Sequence, residues 1–134
     1  MYVFWVLAFF AAILLLSWFL RRPLPSVPGD RQSLTPEQKM LYDVALEPGK
    51  DGKPVLYALQ DCRHCRRTRD FLEKHGVSFH LVMIDVFPRT ERSRLMKIVR
   101  SYNPRGSFPT TVLPDGRVIV GYREEALTEL TEYQ

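Results

Sequence analysis

The apolar residues of the chain follow two different patterns. Residues 3–20, VFWVLAFFAAILLLSWFL, form one uninterrupted run without a charged side chain. As a helix this run would rise about 27 Å, which nearly matches the hydrocarbon core of a bilayer. From Lys53 onward the apolar positions instead change repeatedly between a two-residue period and a helical period. The pattern predicts a membrane anchor followed by a small α/β domain.

Residues 1–22 are interpreted as a transmembrane anchor that contacts the membrane through residues 3–20. Trp5 and Trp18 lie near the two ends of the run, where indole rings favour the membrane–water boundary. A cleaved signal peptide fits less well, because the stretch lacks a basic start and a small-x-small site before Arg21. A buried core helix also fits less well, because a helix that is apolar on every side needs a larger protein around it.

The charges that flank the run predict its orientation. No Lys or Arg precedes it, whereas Arg21 and Arg22 follow it directly and Arg31 and Lys39 lie further on. Because positively charged flanks are retained in the cytoplasm, we expect a single-pass membrane protein whose C-terminal domain is cytoplasmic. The bias rests on few charges, so the opposite, extracytoplasmic orientation stays open; it would expose the domain to oxidising conditions.

Residues 23–52 are predicted to be a linker that contains one short helix. The segment that follows the run, RRPLPSVPGDRQS, is rich in proline and polar residues and is typical of an extended spacer. Further on, Thr35 fits a helix N-cap, Pro36 fits the first helical position and Gln38 completes the spacing of a capping box. A Pro-Gly pair then ends this helix.

Residues 53–134 form the predicted α/β domain. The periods indicate the order strand, helix, strand, helix, β-hairpin and helix, over residues 54–59, 62–75, 77–85, 89–102, 110–122 and 123–133. The turn of the hairpin lies at Pro114, Asp115 and Gly116. The first two strands must be parallel with a right-handed crossover, whereas the hairpin adds antiparallel strands. We therefore expect a small four-stranded mixed sheet flanked by helices.

The candidate chemistry lies in DCRHCRRTRD, residues 61–70, which contains both cysteines of the chain. A structural crosslink fits poorly, because a bridge between Cys62 and Cys65 closes a very short loop and removes little chain entropy. A zinc site generally needs four ligands, and His64 is the one further candidate in this segment. A redox-active pair fits the spacing best.

Thiol–disulfide exchange needs a thiolate, and the N-terminus of the predicted helix stabilises negative charge through its unpaired N–H groups and its dipole. Arg63, His64 and Arg66 add positive charge near Cys62, and Asp61 opposes them. We expect the pKa of the Cys62 thiol to lie below its ordinary value. The second cysteine, one helical turn further on, is placed to attack a mixed disulfide at the first. Cys62 is thus the predicted nucleophile and its partner the resolving cysteine.

Three motifs resemble those of the glutaredoxins, within the thioredoxin superfamily. They are YALQDCRHC at the end of the first strand, FPTTVLPDG at the start of the hairpin and VIVGYREEAL before the last helix. The resemblance covers residues 53–132 and implies a thioredoxin-like (glutaredoxin) fold, here preceded by the transmembrane helix. It also implies a cis peptide bond before Pro109, and backbone groups at Phe108 that are offered to an incoming chain or to glutathione.

The resemblance implies that Cys62 and Cys65 are catalytic, and that substrate or glutathione contacts Tyr57, Arg63, His64, Phe108, Pro109, Thr110, Gly121 and Tyr122. No tightly bound cofactor is expected, and no metal is expected because the cysteine segment offers too few ligands. The resemblance makes glutathione a candidate co-substrate. The electron donor would be a thioredoxin reductase or the glutathione system. Leu59 departs from the family pattern, because members that use glutathione usually carry a Lys there. The pair Arg63-His64 also replaces the common Pro-Tyr.

Length and charge limit the number of domains and the classes of partner. A chain of 134 residues has room for one compact domain plus an appendage. The net charge of +4 lies largely near the run and the cysteines, without a recognition motif for nucleic acid, so no nucleic-acid partner is expected. The basic helix over residues 89–102 is by default a solvated face, with anionic lipid headgroups or a partner as alternatives.

The sequence therefore predicts a membrane-tethered oxidoreductase that reduces protein disulfides or glutathione mixed disulfides by a dithiol CxxC mechanism. Two other functions stay open at this point. The domain could be a non-enzymatic redox-fold module whose basic face docks a membrane partner. It could also bind an iron–sulfur cluster with the help of glutathione, as some glutaredoxins do.

Overall fold

The computed structural model describes Ser17 and residues 34–132. Apart from Ser17, the predicted anchor and the extended spacer that follows it therefore lie outside the described residues. Within the part of the chain that is described, no helix has both the length and the apolar character needed to cross a membrane.

Residues 34–132 fold into four α-helices around a four-stranded sheet. The helices are α1 (Pro36–Leu46), α2 (Arg63–Lys74), α3 (Arg89–Tyr102) and α4 (Glu124–Thr131), and the strands are β1 (Val55–Ala58), β2 (His80–Met83), β3 (Thr110–Val112) and β4 (Val118–Val120). The predicted order of strands and helices is confirmed. The second strand is shorter than predicted, because the chain turns into a 3-10 helix at Ile84–Val86.

The sheet has the strand order β2-β1-β3-β4. Strand β1 runs parallel to β2 and antiparallel to β3, and β3 pairs with β4 in an antiparallel manner. In this register Ala58 lies beside Met83, and Tyr57 lies beside Thr110. The loops that follow β1 and β2 and the loop that precedes β3 therefore meet at one edge of the sheet.

Alternation along the strands divides the core into two layers. Val55 and Tyr57 point to one face of the sheet, where α1 and α3 cover them. Leu56 and Ala58 point to the other face, where they pack with residues of α2 and α4. All four strand residues are fully buried. Because the two helix layers lie on opposite faces, the sheet edge between them is left for the site.

Helix α1 is part of this packed unit, although the sequence predicts it within a linker. Its capping box is present: the Thr35 hydroxyl accepts the Gln38 N–H at 3.2 Å, and the Gln38 side chain accepts the Thr35 N–H at 3.0 Å. Further along the helix, Tyr42 and Ala45 are buried in the core layer shared with α3. The described fold therefore includes α1 together with the domain predicted from residue 53 onward.

Replacement of Tyr57 by Phe tests how α1 is held. The Tyr57 hydroxyl donates a 2.6 Å hydrogen bond to the Ala45 carbonyl, so we expect Tyr57→Phe to lower the free energy of unfolding by about 1 kcal/mol. Tyr42→Phe is the matched control, because the buried Tyr42 hydroxyl has no hydrogen-bond partner among the described residues and its loss should cost little. Urea unfolding followed by circular dichroism measures both variants. An equal loss in the two would contradict this role of the hydrogen bond.

Candidate active site

The two cysteines lie where the chain enters helix α2. Cys62 is the N-cap residue, has an extended backbone, and its sulfur accepts the N–H of Cys65 at 3.2 Å. The two sulfur atoms form a disulfide, with the Cα atoms 5.2 Å apart. Cys65 is only 2% exposed, whereas Cys62 is partly exposed. A thiol that approaches from solvent therefore reaches Cys62 first.

Helical spacing places the second cysteine inward. Cys65, Thr68 and Leu72 recur at intervals of three and four residues and are all buried against the sheet. Thr68 can be buried at low cost because its hydroxyl donates to the carbonyl of His64 at 3.0 Å. The charged residues of the helix consequently lie on its outer side.

The loop that precedes β3 forms the second part of the site. The Phe108–Pro109 peptide bond is cis, as the family resemblance implies. Phe108 is partly buried and packs against both core layers. The Gly121 N–H donates to the Pro109 carbonyl at 2.8 Å, and Gly121 has a φ of 77°, which glycine tolerates readily. This hydrogen bond ties the end of the hairpin to the proline loop.

Tyr122 completes the rim of the site. Its ring meets Phe71 edge to face at 6.4 Å, and its hydroxyl donates to a carboxylate oxygen of Glu124 at 3.3 Å. The pKa of Tyr122 is raised, mainly by loss of hydration and next by the negative charge of Glu124; the positive charge of Arg67 acts in the opposite direction. Tyr122 packs against the same core layer as Cys62 and Phe108. The structure therefore brings the cysteine pair, the proline loop and the Gly-Tyr segment together.

Three arginines and one histidine line the first turns of α2. Arg63, His64, Arg66 and Arg67 are exposed, and none of them forms an ion pair with a carboxylate among the described residues. In contrast, Arg69 is paired with two acidic neighbours. Arg66 and Arg69 line a shallow depression together with Leu59, Cys65 and Met83, among other residues. Positive charge thus lies beside Cys65.

Two residues from the predicted substrate site are placed in the core instead. Tyr57 is fully buried, and burial raises the pKa of its hydroxyl. Its position follows from the alternation of β1, which points this side chain toward α1 and α3. Thr110 is fully buried too, and its hydroxyl donates to the Ser107 carbonyl at 2.7 Å. In this structure neither side chain is free to contact a substrate.

Sequence reasoning missed Asn103, which shapes the proline loop from inside. This residue is 4% exposed, and its amide group contacts the Ser107 carbonyl at 3.2 Å, the Ser107 hydroxyl at 3.1 Å and the Thr110 hydroxyl at 3.0 Å. In the sequence Asn103 stands between a helix and Pro104, where a polar residue is ordinary. The one feature of the sequence that indicates this role is an amide side chain followed closely by several hydroxyl-bearing residues.

Asp85 was missed as well, and it fixes the loop on the other side of the cysteines. Its carboxylate accepts the N–H of Gln60 at 3.0 Å, two residues before Cys62. Its own carbonyl accepts a 3.0 Å hydrogen bond from Arg92, which also donates to the Phe87 carbonyl. The loops after β1 and β2 are therefore fastened to each other.

The described residues contain no cluster of three or more His, Cys, Asp or Glu side chains that is arranged to hold a metal ion. The ring of His75 stacks on Phe71 at 4.1 Å, and the ring of His80 contacts the Asp51 carboxylate, so both are engaged outside the site. What the arrangement offers is one accessible sulfur at a helix N-terminus with a buried sulfur behind it. This arrangement suits thiol–disulfide exchange.

Comparison with known proteins agrees with this geometry. The family model for glutaredoxin matches residues 55–119. The structure of methanoredoxin from Methanosarcina acetivorans is similar with 39% identity and a TM-score of 0.58, over 61% of this chain and 86% of that one. A glutaredoxin from Archaeoglobus fulgidus is similar with 37% identity and a TM-score of 0.56, over 59% of this chain and 85% of that one.

A curated relative, the gene 56 protein of Mycobacterium phage D29, is 28% identical over 79 residues, which is 59% of this chain and 82% of the relative. The family match spans the first cysteine, the second cysteine and the cis proline. The two solved relatives are covered over most of their length at 37% identity or more. The chain therefore belongs to the glutaredoxin family of thioredoxin-like proteins, with a CxxC pair that supports a thiol–disulfide redox function.

Proposed function

We propose that this protein is a membrane-tethered thiol–disulfide oxidoreductase that reduces protein disulfides or glutathione mixed disulfides. The observation that carries the proposal is the asymmetry of the cysteine pair. Cys62 is partly exposed and receives an N–H hydrogen bond at the start of α2, whereas Cys65 is buried one turn further on. The first sulfur is placed to meet a substrate and the second to release it.

The reaction follows from this order. The thiolate of Cys62 attacks one sulfur of the substrate disulfide, and the other substrate sulfur leaves as a thiolate that takes up a proton. Cys65 then loses its proton and attacks the Cys62 sulfur of the mixed disulfide, which releases the second substrate thiol. The pair ends as the Cys62–Cys65 disulfide that the structure contains. Two electrons from a thiol donor, such as glutathione or a thioredoxin reductase, restore the dithiol.

The backbone of Phe108 supports the docking of an extended substrate. Its N–H and C=O groups have no hydrogen-bond partner among the described residues, although Phe108 lies only two residues before the start of β3. Free backbone groups next to a strand can pair with an incoming peptide in the manner of an added strand. Such pairing would place a substrate disulfide across the partly exposed Cys62.

Arg66 supports recognition of a glutathione carboxylate. The Lys that glutathione-using family members carry before the cysteines is replaced by Leu59, which is half-buried. Arg66 lines the same depression as Leu59 and Cys65, is exposed, and has no carboxylate partner among the described residues. A guanidinium group in this place would supply the missing positive charge from α2.

The tether is proposed from the apolar run of residues 3–20 and the basic residues Arg21 and Arg22, which favour a cytoplasmic domain. A tether raises the effective concentration of the active site near substrates in or on the same membrane. The proposed function is therefore the local reduction of membrane-associated disulfides or glutathione adducts.

Serine variants of the two cysteines should separate their roles. Cys62→Ser should reduce turnover of an insulin disulfide to background, a drop of about 10³-fold or more, because no thiolate is left to attack. Cys65→Ser should lose turnover of the protein substrate but accumulate a covalent mixed disulfide that non-reducing gels and mass spectrometry detect. Assays with glutathione and its reductase, or with thioredoxin reductase, identify the donor. Equal residual activity of wild type and Cys62→Ser would refute the enzymatic function.

The helix N-terminus should keep the Cys62 sulfur ionised near neutral pH. In Cys65→Ser, we expect the rate of alkylation by iodoacetamide to reach half its maximum at least about one pH unit below the ordinary thiol value of roughly 8.5. In denaturant the midpoint should return to the ordinary value. Cys62→Ser is the matched control, since its remaining thiol is buried and should react slowly. A midpoint that is the same in the folded and unfolded states argues against thiolate stabilisation by α2.

Thiol labelling in intact cells should reveal the tether and its orientation. We expect Cys65→Ser to fractionate with membranes, and its Cys62 to react with an impermeant maleimide only after permeabilisation. The matched control is Tyr2→Cys in a Cys62→Ser, Cys65→Ser background, which should react in intact cells. Recovery in the soluble fraction would contradict the anchor, and the reverse labelling pattern would contradict the cytoplasmic placement.

A further inference from the structure

Helix α3 carries a basic stripe that the redox chemistry does not use. The stripe consists of Arg94, Lys97 and Arg100, which follow one another three residues apart and so lie along one side of the helix. All three side chains are exposed, and none forms an ion pair among the described residues. Their charge is therefore available to an external anion.

The packing of α3 fixes the direction of the stripe. Leu95 and Val99 are fully buried against the sheet, so the stripe on the other side of the helix faces away from the domain. The neighbouring residues Ser93 and Ser101 are small, and their hydroxyls donate to carbonyls of the same helix at 2.9 and 2.6 Å. The stripe is therefore flanked by small side chains whose hydroxyls are engaged within the helix.

Exposed apolar side chains lie in the same layer. Met40 of α1 is 60% exposed, and Val86, just before α3, is 39% exposed. The Gln38 amide reaches the Val86 carbonyl at 3.5 Å, so the first turn of α1 lies beside the segment that leads into α3. Cations together with exposed apolar side chains are typical of surfaces that bind the interface of an anionic bilayer.

We propose that the layer formed by α1 and α3 docks on an anionic lipid surface, with the stripe on the phosphate groups and Met40 at the edge of the apolar region. An anionic bilayer is favoured over an acidic protein or a nucleic acid because the same chain carries the uncharged apolar run of residues 3–20. The inference rests on the proposed function through the tether alone, and not through the chemistry of the cysteines.

Docking by this layer would leave the active site in the aqueous phase. Helix α2 covers the opposite face of the sheet from α3, and Cys62 lies at the start of α2. The bilayer would therefore contact one side of the domain while the accessible sulfur remains free to meet a substrate.

The accessibility of Lys97 tests the docking, with Lys74 on α2 as an internal control. The full chain is placed in nanodiscs of phosphatidylcholine alone or of phosphatidylcholine with phosphatidylglycerol, and lysines are acylated with a water-soluble reagent and read by mass spectrometry. We expect Lys97 to react at least about threefold more slowly in the anionic discs, and salt to abolish the difference. Lys74 should react equally in both. Equal rates for Lys97 in the two lipids would overturn the proposal.

Two charge-matched variants separate the stripe from general electrostatics. Arg94→Gln with Arg100→Gln should remove the protection of Lys97, whereas Lys53→Gln with Arg123→Gln, which loses the same charge elsewhere, should keep it. Protection that survives the first variant would overturn the proposal. So would protection of Lys97 by a short RNA without any protection by anionic lipid.

A chain that is not retained in the discs would refute the tether, and the docking is then decided by flotation of the same chain with vesicles. Flotation with phosphatidylglycerol vesicles but not with neutral vesicles supports the docking surface. Absence of flotation with either overturns it. Reduction of insulin by the same preparation reports separately on the chemistry of the cysteines.

Discussion

At the start of helix α2 a backbone N–H points at the sulfur of Cys62. A helix N-terminus offers such groups because its first N–H donors lack partners within the helix. A cysteine thiolate is an anion that can accept hydrogen bonds from these donors. The rest of the fold holds this contact in place. The sheet buries Cys65 behind it, and the Asp85 carboxylate fastens the loop at Gln60 just before it.

In the function that we propose, the proline loop must stay accessible to a substrate while its own backbone is held rigidly. Asn103 and Thr110 satisfy the polar groups on the inner side of this loop, and the Gly121 N–H ties it to the hairpin. The outer backbone of Phe108 is left without a partner in the described part of the chain. Within this loop, some residues thus have their polar groups hydrogen-bonded inside the protein, whereas the backbone groups of Phe108 are left for a substrate.

The sequence predicts the main features of the domain because they depend on the local spacing of apolar residues. The change from a two-residue to a helical period indicates β1, α2 and β2, and a CxxC at the head of an amphipathic segment indicates sulfur at a helix N-terminus. The motif set around Pro109 adds the cis bond through resemblance to a family. These signals need no knowledge of which residues meet in space.

What the sequence does not predict depends on contacts between distant residues. Alternation in β1 shows that Tyr57 and Leu56 point in opposite directions, but not which of the two faces α2 covers. The burial of Asn103 follows from partners in a loop whose shape is set by β3 and β4. The packing of α1 depends on Tyr57, twelve residues beyond Ala45, and on α3 still further along the chain.

The packing of α1 also determines how far the active site can travel. In the tethered form that we propose, a free linker over all of residues 23–52 would be roughly 100 Å long when fully extended. Because Leu34 and α1 pack in the core, a free linker could extend no further than residue 33, and its contour could not exceed roughly 40 Å. The Cys62 sulfur would then stay close to the lipid headgroups, and it could not reach disulfides held far from the bilayer.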